Sequence, residues 1–182
     1  MSGIVGSYFN TRGSGVVAKL GTDGQVFTST GAGLKQGFEA AAGGGKVLQI
    51  VQDTLGSEFN TSSTTFVEVT GLTCAITPAA TSSKILILVH GGMYANSSSG
   101  FNYVPTIYRD STNLAETDAQ GFGSMRAGGS TLGAFVSMAY LDSPSSTSEI
   151  DYKYYFKISA GTGYMSYNTS ATSTMQVIEI GA

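Results

Sequence analysis

His90 and Cys74 carry the imidazole and the thiol of this chain, and each residue type occurs once. A serine-hydrolase type of triad needs an imidazole oriented beside a nucleophile by a third group. His90 instead ends the apolar run Lys84-Ile85-Leu86-Ile87-Leu88-Val89 and is followed by Gly91-Gly92, a setting that assigns it a structural or surface role. Cys74 has no second cysteine to pair with, so the fold does not depend on oxidation. In Leu72-Thr73-Cys74-Ala75-Ile76 the alternation places it beside Leu72 and Ile76, as a small buried hydrophobe rather than a nucleophile or ligand. The carboxylates are scattered, and no run has the one-three-five spacing of a calcium loop. Glu116 and Asp118 are the nearest pair and read as a solvated turn. A depolymerase needs paired carboxylates in a groove, and no such pair is evident. Gly43-Gly44-Gly45-Lys46 resembles a phosphate loop only in part: Ala40 stands where that motif requires glycine, and Val47 where it requires Ser or Thr for magnesium. Asn60-Thr61-Ser62, Asn96-Ser97-Ser98 and Asn168-Thr169-Ser170 fit the glycosylation pattern and are read as turns. The expectation is a chain with no catalytic, metal or cofactor site.

The elements around these residues are those of a β protein. Charged residues make up 12% of the 182 residues, about half the usual share, and Ser, Thr, Gly and Asn take their place. The net charge is −3 with no basic stripe, so a phosphate-backbone footprint is missing and nucleic acid is not an expected partner. Met1-Ser2-Gly3-Ile4 lacks the positive start and apolar run of a signal peptide, and the run Ile85 to Val89 is too short to span a bilayer. No membrane partner is expected.

Residues 1–45 hold 12 of the 25 glycines, five charges and only Tyr8, Phe9, Phe27 and Phe38 as aromatics. Such a segment cannot build a core and must be ordered by the rest of the chain, by a copy of itself or by a partner. It reads as an extended arm. Val16 to Leu20 and Gln25 to Thr28 look like strands about a Gly21-Thr22-Asp23-Gly24 turn, where glycine supplies positive φ without steric cost. Phe38 to Ala42 has room for at most one helical turn. Gly43-Gly44-Gly45 forms a joint, so the domains are an arm over 1–45 and a head over 46–182.

From Lys46 onward the hydrophobic period is close to two. Strands are expected over 46–52, 65–69, 72–77, 84–90, 101–109, 113–116, 131–141, 149–158, 164–168 and 174–180. Lys84 to His90 is apolar at every second and every intervening position, which predicts a central strand buried on both faces. Asp110-Ser111-Thr112 is a hairpin turn. Leu132, Ala134, Val136, Met138 and Tyr140 share one face of their strand, as do Ile150, Tyr152, Tyr154, Phe156 and Ile158. Short strands at this spacing predict an all-β, jelly-roll-like antiparallel sandwich with an extended N-terminal arm. Nine of the ten tyrosines lie beyond residue 90. Tyr152, Tyr154 and Tyr155 on one strand are either a subunit interface or ligand face, or half-buried packing.

The segment Leu20-Gly21-Thr22-Asp23-Gly24-Gln25-Val26-Phe27-Thr28-Ser29-Thr30-Gly31-Ala32-Gly33 resembles one in tail fibres and related virion proteins of tailed bacteriophages. There it commonly reads Leu-Gly-Thr-x-Gly-Gln-Val-Leu-Thr-Ser-x-Gly, followed by an aromatic. Here Phe27 replaces the leucine and Phe38 takes the place of the usual tryptophan. The head is similar to small β domains of marine-phage structural proteins through Ser83-Lys84-Ile85-Leu86-Ile87-Leu88-Val89 and Tyr108-Arg109-Asp110-Ser111-Thr112. In that family such arm segments wrap in threes about an axis. The resemblance therefore implies a homotrimeric virion protein without enzymatic activity, assembled in the host cytoplasm and exposed on the particle surface. Its partners would be other capsid or tail proteins. Leu20, Gly21, Asp23, Gly24, Gln25, Val26, Phe27 and Phe38 would be its anchoring residues. This chain has one copy of the unit and no recognisable large tail-attachment domain. A capsid decoration or head-fibre protein fits that best. The alternative is a short tail fibre or adaptor whose head binds a host surface glycan.

Overall fold

The computed structural model describes residues 25–28, 37–40, 47–115, 120–169 and 171–181. The chain divides into two compact units, Met1–Gly44 and Gly45–Ala182. In the first, β1 (Gln25–Thr28) pairs antiparallel with β2 (Gly37–Ala40), and Phe27 lies opposite Phe38 in the register. Within the segment read as at most one helical turn, residues 38–40 are therefore in a strand. A single helical turn fixes several dihedrals for one hydrogen bond, whereas β1 offers residues 37–40 a ladder. The expected strand at 16–20 and the turn at Gly21, Asp23 and Gly24 lie outside the described residues, as does Leu20.

The second unit contains β3 (Val47–Leu55), β4 (Phe59–Thr61), β5 (Val67–Ile76), β6 (Lys84–Asn96), β7 (Phe101–Arg109), β8 (Thr112–Asn113), β9 (Met125–Ala127), β10 (Thr131–Asp142), β11 (Ile150–Ile158), β12 (Thr162–Met165) and β13 (Ser173–Ile180). Every pairing among them is antiparallel. One sheet runs β3-β13-β6-β10, and β12 and β4 extend the β13 side of β6 toward its far end. The other runs β5-β11-β7, with β8 and β9 sharing the outer edge of β7. The strands thus alternate between sheets along the chain and return as a jelly roll: the first long strand lies beside the last, and the second beside the last but one.

Period-two alternation explains the core. Ile85, Ile87, Val89, Met93 and Ala95 of β6, with Met175 and Val177 of β13, face Ile150, Tyr152, Tyr154, Phe156 and Ile158 of β11 and Val69, Leu72, Cys74 and Ile76 of β5. Tyr103 stacks on Phe156 at a ring separation of 4.5 Å, and Phe59 meets Phe156 edge-on at 5.9 Å.

Several expectations about strands change. The strand expected over 113–116 is β8, Thr112–Asn113, the one over 164–168 is β12, Thr162–Met165, and β4 and β9 were not expected. Residues 65–69 and 72–77 are not separate strands. They join in β5, where a bulge places Val69–Leu72 against Tyr154 alone on β11, and Gly71 takes φ +97° within it. β6 does not stop at His90 but continues through Gly91-Gly92 to Asn96, because β10 pairs with it along its whole length. β6 is also not buried on both faces: Ile85, Ile87 and Val89 are buried, but Leu86 and Leu88 on the opposite face are half-buried. The hairpin after β7 has a two-residue loop, Asp110-Ser111, since Arg109 already pairs with Thr112. Asp110 takes φ +53°, a conformation aspartate tolerates better than most residues.

Candidate functional site

Of the arm residues singled out by sequence, Gln25, Val26 and Phe27 lie on β1 and Phe38 on β2. Of the tyrosines, Tyr152 and Tyr154 are fully buried between the sheets, which corrects their reading as an interface or ligand face. Both occupy the inward set of β11. Tyr152 donates to Asp142 Oδ2 at 2.6 Å, and Tyr154 shares a 3.2 Å hydrogen bond with Tyr103. Burial pushes both hydroxyls well above the ordinary tyrosine pKa. Tyr155 points outward and donates to Glu68 Oε2 at 2.9 Å; desolvation, then that bond, push it up to about 12.

Cys74 is buried, with Sγ 3.5 Å from the Met175 carbonyl oxygen, and desolvation raises its thiol to about 11. It remains a protonated packing group at neutral pH, as its strand neighbours predicted. His90 is exposed on the outer face of β6, its Nδ1 3.2 Å from Ser137 Oγ. Glu116 and Asp118 lie outside the described residues. Asn60 of the first glycosylation pattern lies in β4 rather than in a turn, and Asn168 sits in a short 3-10 turn at φ +63°. Among the described residues no group of three or more His, Cys, Asp or Glu side chains converges to hold a metal, and no helix is long and apolar enough to cross a membrane.

Two buried polar clusters pin the sandwich. Arg109 Nη1 of β7 donates to both oxygens of Asp142, at 3.0 and 2.9 Å, where β10 ends and Tyr152 of β11 also arrives. Glu179 of β13 accepts from Gln49 Nε2 at 2.6 Å and from the Ala79 amide at 2.7 Å. Desolvation acts to raise the Glu179 carboxyl, but the Gln49 and Ala79 donors, with the Ser83 hydroxyl nearby, outweigh it and hold the group below the ordinary value.

The two outer faces differ in kind. On the five-stranded sheet, Lys153 lies 3.6 Å from Asp151 and 4.0 Å from Glu68, Lys157 Nζ sits 4.4 Å over the Phe66 ring, and Tyr108 packs on Tyr155 at 4.1 Å. This face is charged and its groups are mutually engaged. On the six-stranded sheet the registers align Ile50, Ile178, Leu86 and Leu141 in one row across β3, β13, β6 and β10. The next row is Gln52, Gln176, Leu88 and Ala139, and the one after it Thr54, Thr174, His90 and Ser137. Beyond these, Phe135 stands opposite Gly92 beside a depression of about 470 Å³ lined also by His90, Gly91, Ala171, Thr172 and Thr174. Sequence reasoning missed this face because it assigned the second apolar set of β6 to burial.

No protein-family model and no curated protein matches the sequence. Among solved structures, a VP2 subviral particle of infectious bursal disease virus is similar at a TM-score of 0.43 and 13% identity, over 88% of this chain and 36% of that one. A structure of the Gx strain of the same virus is similar at 0.40 and 13% identity, over 88% of this chain and 35% of that one. The chain spans about a third of the length of these neighbours, and a likeness at this distance carries no argument by itself.

Proposed function

We propose that this chain is a non-enzymatic structural protein of a tailed-bacteriophage virion, a homotrimeric capsid decoration or head-fibre protein held to the particle through its N-terminal arm. The observation that carries this reading is the pairing of β1 with β2. The core of the phage-like segment, Gln25-Val26-Phe27-Thr28, forms a ribbon with the strand that bears Phe38, within a unit separate from the jelly roll. Motif and following aromatic thus act as one small β element, which suits a segment that is recognised as a piece. The jelly roll of the second unit supplies a head with two chemically distinct outer faces.

The test is occupancy of virions by Phe27→Ala, Phe38→Ala and Gly24→Val, with Lys35→Ala as control. Truncating an anchor that fills a partner's pocket typically costs about 2 kcal/mol or more. The three variants are expected to load poorly while the control loads like the parent. Equal loading of all four removes the arm from the anchoring role.

A further inference from the structure

The large apolar side chains exposed among the described residues are Val47, Leu48, Ile50, Phe135 and Leu141, and all five lie on β3 or β10 of the same sheet. Ile50 is 60% exposed, Leu141 54% and Phe135 88%. Single exposed apolar residues need no explanation, but a contiguous set does. Here Ile50 and Leu141 are joined by register, as the two ends of one four-strand row through Ile178 and Leu86, and Phe135 stands on the same face beyond two further rows.

We propose that this face is the self-association surface of the protein, covered by further copies of the same chain. Charge argues for a copy of itself over a charged partner. The rows from Ile50 to Ser137 carry no carboxylate, lysine or arginine, and Lys84 at the rim is engaged with Ser143 Oγ. An uncharged face can lie against a neighbouring copy without like-charge repulsion. On the outer face of the other sheet, by contrast, Lys153 is paired with Asp151 and Glu68. Depletion of charge at the centre of a patch, with a polar rim, is the composition of an interface core. Area agrees. β10 is 12 residues long, and the sheet is four strands wide along it, with β6, β13 and β3 beside it at one end and β6, β12 and β4 at the other; at about 3.3 Å per residue and about 4.8 Å per strand the whole outer face measures roughly 750 Å². A standard interface needs about 800 Å² from each partner. Phe135 supplies a projecting ring, and the depression beside Gly92 supplies a place for a neighbour's side chain.

This inference rests on the self-association part of the function proposed above and names the surface that performs it. The test is sedimentation equilibrium of the full chain at tens of micromolar, with circular dichroism as the fold check. Variants are Ile50→Asp, Phe135→Asp and Leu141→Lys, with Thr70→Asp on β5 of the other sheet as the charge control. All four positions are solvent-exposed, so the fold is retained. The parent and Thr70→Asp are expected to sediment as the same oligomer. The three face variants are expected to dissociate at concentrations at least about tenfold higher than the parent. Oligomeric variants indistinguishable from the parent overturn the assignment of this face and leave the virion reading standing. A monomeric parent overturns self-association itself, and parallel virion co-purification then reports whether the anchoring reading survives. A monomeric parent that loses binding on a glycan array when Phe135 is changed to Asp reassigns the face to a receptor.

Discussion

Gly163 lies on the inward side of β12, where a Cβ would stand 2.9 Å from the Phe156 ring and 3.2 Å from the Tyr103 ring. Those two rings are stacked and fully buried, so neither has room to yield. Gly163→Ala is expected to lower stability by about 1–3 kcal/mol through overpacking. Urea denaturation followed by tyrosine fluorescence measures it, and a midpoint equal to the parent's contradicts the packing. The same environment explains why Tyr154 and Tyr103 keep hydroxyls deep in the core: each is the other's partner at 3.2 Å. A buried hydroxyl without a partner carries a desolvation penalty, and this pair avoids it. Tyr155 departs from its neighbours because one residue along a strand is the difference between core and surface.

At the scale of elements, the Arg109–Asp142–Tyr152 cluster joins β7 and β11 of one sheet to the end of β10 in the other. Tyr152→Phe removes one hydrogen bond to a charged group and is expected to cost about 1.5–3 kcal/mol. Asp142→Ala is expected to cost more, since it leaves both the Tyr152 hydroxyl and the Arg109 guanidinium without their acceptor. Urea midpoints of the two variants give the order, and the reverse order refutes the division. Glu179 sets an acid dependence at the same end of the sandwich, in the row that also holds Asp142. Its folded pKa is depressed, so its stabilisation is fully present above the unfolded value near 4.5 and is lost as pH falls through the folded value. The parent is therefore expected to lose stability on acidification below that value, and Glu179→Gln to show a flatter profile across the same window. Thermal melts from pH 6 to pH 3 test the slope; parallel curves for the two proteins rule out Glu179 as a source.

For the whole molecule, the apolar surface that drives folding is concentrated in the second unit, in β5, β6, β7, β11 and β13. Burial contributes roughly 25 cal/mol for each Å² of apolar surface removed from water, so the stability resides there. A chain lacking residues 1–45 is expected to keep the β circular-dichroism signature and a cooperative melt, and to lose incorporation into virions. A truncated chain that unfolds, or one that still enters particles, contradicts the separation of anchoring from folding. The contrast between the charged and the uncharged outer faces belongs to this scale too. It arises from strands distant in sequence, and no single strand displays it.

The all-β class and most strand positions were legible because period-two alternation is written into each strand locally. Thr131 to Leu141 and Glu149 to Ile158 announce their inward sets without any partner, and so does the packing role of Cys74. What the sequence could not decide is anything that depends on which strands become neighbours. Leu86 and Leu88 read as buried because their own strand is apolar throughout, but the second layer that would cover them is not among the elements of this unit. Tyr152 and Tyr154 read equally as an interface or ligand face and as packing, and only the tertiary arrangement brought Asp142 and Tyr103 to meet their hydroxyls. The row Ile50, Ile178, Leu86 and Leu141 exists only once β3, β13, β6 and β10 lie side by side. Alternation is a local property of the chain, whereas the partner of a polar group and the continuity of a face are properties of strand order, set by contacts between residues far apart in sequence.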